Sequence, residues 1–332
     1  MQNCYDDLPW EENTLALTET GSRSIARIVD RGHLLAGVSQ GVPGLSTRAP
    51  DGEFKGFDVD LARALAMVLL GSTDAVAFEQ LASGDRFAAV EEGRVDVGVY
   101  NASCTLQREL KGVHFPIIAL YDGEAALVPR RSGIETLKAL KRPTIAVVAE
   151  TTTASNLAAY FGCRPYRLVA APNLDRATAI YEAGEADAIV FDATALAGVR
   201  ARLSDPDEHI LMVERLSKEP LGPVVADDDP IFARIVVWTV RALILAEEFG
   251  ITTENIGTHE PGSRAEAFLR SGLPIAPGDP FAVARLEGLI RRIGSYADLF
   301  ERNLGAQSGL ALQRGHNRLW TEGGLLYAPS IG

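Results

Sequence analysis

The chain has 332 residues, 47% of them hydrophobic, and a formal charge of -12 at pH 7, so it is long enough for two domains with separate cores. The acidic balance excludes a nucleic-acid partner, because phosphate binding needs clustered Lys and Arg. Cys4, Cys104, Cys163 and the five histidines form neither C-x-x-C nor H-E-x-x-H spacing, so no disulfide framework, metal or cofactor is expected.

In chain order, Met1–Thr20 is acidic and lacks a basic stretch followed by an apolar one, and no hydrophobic run precedes Cys4. A chain that begins natively at Met1 is expected in the cytoplasm, and one from which a leader was removed in the periplasm. Residues 1–29 read as an N-terminal extension. His33–Val38 reads as the first strand. Asp58 opens a helix with Leu61, Leu65, Val68 and Leu69 on one face. Ala75–Phe78 follows as a strand.

Two stretches are then written in nearly the same letters. Asp85–Asp96 runs into Val97–Tyr100, and Asp175–Asp187 runs into Ala188–Phe191. Each reads as a short helix stopped by a glycine, Gly93 or Gly184, and then a strand. Polar side chains come after each strand: Asn101, Ser103, Thr105 and Arg108 in the first, Asp192 and Thr194 in the second. In open α/β sheets ligands sit beyond strand carboxyl ends. One arginine and one aspartate in two similar lobes form the charge pair that a free amino acid needs.

Glu124–Pro129 reads as a strand leading into a crossover at Arg130–Gly133. Thr144–Ala149 reads as a buried strand that runs into Thr151, Thr152 and Thr153 and then a helix. Ser217–Pro223 reads as the return crossover, stiffened by Pro and Gly. Asp229 and Pro230 begin a helix that Gly250 ends. It is interrupted by Arg234 and Arg241, so it does not insert into a membrane. Short helices and Gly-rich turns follow, up to Trp320 and Tyr327.

Alternating strands and helices indicate a mostly parallel α/β architecture. The crossovers divide the chain into a discontinuous lobe, 30–131 plus 217–332, and an inserted lobe, 132–216, joined as a hinge. Gly37-Val38-Ser39-Gln40-Gly41 matches the nucleophile-elbow pattern G-x-S-x-G. Val42-Pro43-Gly44 follows where the elbow needs a helix, and no histidine is marked as a partner base.

Several motifs carry a resemblance. They are Gly37-Val38-Ser39 with Pro43-Gly44, Gly56-Phe57-Asp58-Val59-Asp60, and Thr105-Leu106-Gln107-Arg108. Thr151–Thr153, Ser217–Pro223, Val237-Trp238-Thr239, Phe300-Glu301-Arg302-Asn303, Leu319-Trp320-Thr321 and Gly323-Gly324-Leu325 complete the set. In these the chain resembles the polar amino-acid solute-binding proteins of ABC uptake systems (family 3), in particular the general L-amino-acid-binding subgroup. The resemblance implies a type II periplasmic-binding-protein fold, with two α/β lobes joined by two crossover segments and a ligand cleft between them. It implies an amino-acid-binding protein that captures a small L-amino acid by hinge closure, with ABC permease subunits as partners. Arg108 aligns with the arginine that takes the ligand carboxylate, with Ser103 and Thr152 assisting. Asp192 aligns with the carboxylate that receives the ammonium, and Asn101 stands where a further contact to it is expected.

The physical chemistry agrees. A guanidinium presents paired donors to a carboxylate, and unpaired N–H groups at a helix start near Thr152 favour an anion. Asp192 doubles as a candidate helix cap. Asp58 and Asp60 read as helix-start residues rather than ligands. The chain departs from the family pattern at Leu45, Cys104 and Glu150. Glu150 points to solvent, selects a polar or cationic side chain, or acts as a general acid or base. The last reading is the alternative: a cytoplasmic enzyme of lyase or dehydratase type on the same fold. An intracellular amino-acid sensor is a third reading.

Overall fold

The structure is a computed structural model that describes residues 20–39, 41–82, 84–149, 151, 153–275, 279 and 281–331. The chain divides into two compact units. Unit 1 comprises 1–120, 221–303 and 316–332, and unit 2 comprises 121–220 and 304–315.

In unit 1, β1 (Leu34–Val38), β2 (Val76–Gln80) and β3 (Val97–Val99) form a parallel sheet in the order β2-β1-β3. Ala36 lies opposite both Phe78 and Val97. The helix Phe57–Leu70 packs on β1 and against the helices Pro230–Glu248 and Ala282–Ile293. It is therefore buried on nearly every side, Phe57 through Ala62 without a break, and not along one stripe as its spacing suggests. Its two early aspartates, both buried, point to distant partners. Asp60 accepts from Arg302 Nε at 2.9 Å and Asn303 Nδ2 at 2.8 Å, which docks the helix Tyr296–Asn303. Asp229 begins its helix as expected, accepting from Phe232 N–H at 3.0 Å. Its other oxygen takes Ser24 N–H and Ser22 Oγ, which ties two helix starts together.

In unit 2, β4 (Glu124–Pro129), β5 (Thr144–Val148), β6 (Arg167–Ala171), β7 (Ala188–Asp192) and β8 (His209–Leu211) form a sheet in the order β6-β5-β7-β4-β8. β6, β5 and β7 are parallel, while β4 runs antiparallel to both β7 and β8. Alternate residues divide between two apolar layers, as strand geometry requires. Leu127, Ala146 and Ile189 meet Ala177, Ile180, Leu196 and Val199 on one face. Ala126, Val128, Ile145, Val147 and Val190 meet Leu157 and Phe161 on the other.

The boundaries of the units differ from the crossovers read in the sequence. Glu124–Pro129 is bonded along both edges inside the sheet of unit 2, so the chain passes between units at 120/121 and not at Arg130–Gly133. The return is at 220/221, inside the Ser217–Pro223 segment. Residues 304–315 count with unit 2, where Arg200 Nη2 donates to Leu310 O at 2.7 Å.

The repeated stretches fold alike. The helices Arg86–Glu91 and Leu174–Glu182 are each followed by a left-handed glycine, Gly93 at φ 70° and Gly184 at φ 71°, before β3 and β7. Those two strands carry the polar groups described next.

Candidate ligand-binding site

In unit 1 the loop after β3 carries Asn101, Ser103 and Thr105, and Arg108 lies in the short helix Leu106–Glu109 that follows. Asn101 is left-handed at φ 40°, a conformation that asparagine tolerates better than most residues. Its N–H donates to Asp58 Oδ2 at 3.1 Å, and its Oδ1 accepts from Ser39 Oγ at 2.7 Å. Thr105 is exposed and uses its hydroxyl oxygen to cap the helix Leu106–Glu109. Arg108 is partly buried, with its Nη1 donating to Ser103 O and its guanidinium 5.6 Å from the Phe87 ring centroid. Cys104 packs partly against the core beneath, which also contains Tyr100, and burial pushes its thiol pKa up. Leu45 is buried.

Arg86 lies in the same network, although sequence reasoning did not single it out. Its Nη1 donates to Tyr100 O at 3.0 Å and its Nη2 to Ser39 Oγ at 3.2 Å, while Tyr100 Oη donates back to Arg86 O at 2.8 Å. Burial lowers the Arg86 pKa, partly offset by Tyr100 and Asp58, and the Arg108 charge adds to the fall. Two guanidinium groups near one another leave this face of unit 1 suited to an anion.

Asp58 is the other residue the sequence undervalued. Burial raises its carboxyl to about 7, against the pull of the Asn101 N–H and Arg86. Its position in the first helical turn gave a local reading, and only the fold reveals the distant partner.

In unit 2, Asp192 ends β7 and stands at the cap position of the helix Ala193–Arg202. Its carboxylate makes no capping hydrogen bond among the described residues. Burial raises its pKa to about 7, and Asp122, Glu219 and Glu124 push in the same direction. Glu124 is itself held, accepting from Thr153 Oγ1 at 2.6 Å and Asn156 Nδ2 at 2.9 Å. Asp122 accepts from Thr194 N–H at 3.3 Å. Burial raises its carboxyl, while Thr194, Gly123 and Arg215 pull it down. Unit 2 therefore offers a crowded, poorly solvated set of carboxylates suited to a cation. Thr152 and Glu150 lie outside the described residues. The elbow-like Ser39 donates to Asn101 and accepts from Arg86, so its hydroxyl is used in the network.

Comparison with known proteins adds a family. The family model described as bacterial extracellular solute-binding proteins, family 3, matches residues 34–305. The general L-amino acid-binding periplasmic protein AapJ of Rhizobium johnstonii is 35% identical over 315 residues, covering 93% of this chain and 92% of that protein. The glutamate/glutamine/aspartate/asparagine-binding protein BztA of Rhodobacter capsulatus is 35% identical over 328 residues, covering 95% and 96%. Among solved structures, a periplasmic binding protein of an ABC transporter from Brucella ovis, with glutathione bound, superposes with a TM-score of 0.80. It is 33% identical, over 93% of this chain and 99% of that one.

Proposed function

This chain belongs to the bacterial extracellular solute-binding proteins of family 3, and from that premise we propose that it captures a free α-amino acid as the zwitterion. Its fold is the type II periplasmic-binding fold. Arg108 takes the α-carboxylate as a forked donor, with Ser103, Asn101 and Thr105 on the loop before it and Thr152 assisting. Asp192 takes the α-ammonium. Unit 1 thus supplies the partner of the carboxylate and unit 2 the partner of the ammonium. The bound amino acid is then delivered to ABC permease subunits, in the periplasm where such relatives work.

The observation that carries this reading is the state of Asp192. Its carboxylate makes no capping hydrogen bond among the described residues, is poorly hydrated and is pressed by Asp122, Glu219 and Glu124, an environment that favours a cation. An ammonium relieves all of that repulsion at once. The named relatives are binding proteins, which gives the alternative enzyme, with Glu150 as acid or base, no support. We keep the acceptable side chain broad. Glutathione belongs in the screen because it also carries an α-amino-acid end and accompanies the Brucella structure.

The test is a calorimetric screen of the common amino acids and glutathione against wild type, Arg108→Ala and Asp192→Ala. Truncating one partner of a desolvated charge pair costs about 2–5 kcal/mol, so each variant loses roughly thirtyfold or more in affinity. Wild-type affinity in both variants defeats the assignment.

A further inference from the structure

Resting on that reading of the site, we infer that Asp58 is a positioning residue: it fixes the loops beyond two strands of unit 1 so that Asn101, Ser103 and Arg108 are set before ligand arrives.

Asp58 uses its backbone and its side chain on different loops. Its N–H donates to Leu45 O at 3.0 Å, beside a second bond from Phe57 N–H to Gly44 O at 2.8 Å. These bonds fasten the loop that follows β1. Its carboxylate accepts the Asn101 N–H at 3.1 Å, which fastens the loop that follows β3. The approach to the first loop is tight: a Cβ at Gly56 would lie 2.2 Å from Leu45 O. Only glycine therefore allows the helix start to lie close enough for both backbone bonds.

The second loop needs the anchor more. Asn101 is left-handed, so the chain turns there, and the direction of everything up to Arg108 depends on that turn. Asn101's side chain is held from the other side by Ser39 Oγ, which Arg86 Nη2 in turn holds. Arg108, in the short helix that follows, then bonds the carbonyl of Ser103. A carboxylate at position 58 and an arginine at 86 thus grip one turn from two sides, and the ligand residues beyond inherit its orientation. Binding geometry set in advance spares the ligand the entropy of ordering the loop.

The feature that matters is an acceptor oxygen at the right length. Asparagine keeps one there, whereas alanine does not. Arg86 is the charged group that faces Asp58, so the Asp58→Asn variant also separates acceptance of the N–H from attraction to that guanidinium.

Amide hydrogen exchange of the ligand-free full chain tests this without any ligand. We expect Asp58→Ala to speed exchange at Asn101 and its neighbours at least tenfold, with unit 2 unchanged, and Asp58→Asn to stay within about threefold of wild type. Amino-acid affinity follows the same order, down about tenfold in Asp58→Ala and nearly retained in Asp58→Asn. In wild type, the Asn101 amide proton shift titrates with the same midpoint as the Asp58 carboxyl carbon, a readout that needs no variant to fold. A flat Asn101 amide across the Asp58 titration overturns the proposal. So does unchanged Asn101 exchange in Asp58→Ala, or equal damage in both variants. If wild type binds no amino acid at all, the functional reading falls alone, and the exchange and titration results still decide the role of Asp58.

Discussion

Asp60 Oδ2 accepts from Arg302 Nε at 2.9 Å across a sequence separation of 242 residues. The contact closes unit 1 by joining its first long helix to its last. Asp60 also takes Asn303 Nδ2, so truncation strands two donors. We expect Asp60→Ala to lower unfolding free energy by about 2 kcal/mol. Arg302→Ala, at a more exposed partner, should cost less. Denaturant midpoints of the two variants, with unchanged slopes, measure this.

Asp229 ties the starts of the helices Arg23–Arg31 and Pro230–Glu248. Burial pushes its pKa up, but bonds from Ser24 N–H, Phe232 N–H and Ser22 outweigh that and hold it below the usual carboxylate value. A depressed folded pKa stabilises above the unfolded pKa and stops doing so as pH falls through the folded one. Asp229→Ala should therefore cost about 1–2 kcal/mol at pH 7, as loss of a helix cap does. The gap to wild type should close below about pH 4. Thermal unfolding of both proteins against pH checks it.

Asp192 has the opposite sign. With a folded pKa raised to about 7 from the ordinary aspartate value of about 4, the native protein holds a proton that the unfolded chain has released between those limits. Stability from this group falls as pH rises from about 4 to about 7 and is level above. Asp192→Asn should thus gain stability relative to wild type more at pH 8 than at pH 5. An arriving ammonium pulls the pKa down, so binding below about pH 7 expels a proton. Affinity should climb with pH and flatten above about 7. Calorimetry in two buffers of different ionisation enthalpy counts the proton.

Gly98 sits against the ring of Tyr100: a Cβ there would lie 2.2 Å from Cζ and 2.3 Å from the hydroxyl oxygen. Tyr100 Oη donates to Arg86 O, so a displaced ring disturbs the Arg86 grip on the loop. Gly98→Ala should cost about 1–3 kcal/mol and weaken amino-acid binding. Gly84→Ala, with nothing within 4 Å of the new atom, should stay within about 0.5 kcal/mol. Paired melting curves and titrations distinguish the two.

Much of this was legible in the letters. Hydrophobic runs and glycine stops located β1, the helix Phe57–Leu70 and both repeated helix–strand units. Polar letters after those strands pointed to Arg108 and Asp192. Arg86 was visible as the second residue of the first repeat, but an arginine at a helix start has a bland surface reading. Asp58 and Asp60 were read as helix-start residues, and they do stand in the first turn, but that local reading gives no distant partner.

Periodicity and chain punctuation thus determined which segments are strands and helices, because those depend on neighbours a few residues away. Tertiary structure alone decided which unit claims Glu124–Pro129, since antiparallel pairing with β7 and β8 involves residues far along the chain. It alone decided that Asp58 holds Asn101 and Asp60 holds Arg302. A side chain's partner, and through burial its proton affinity, depends on what the fold brings beside it.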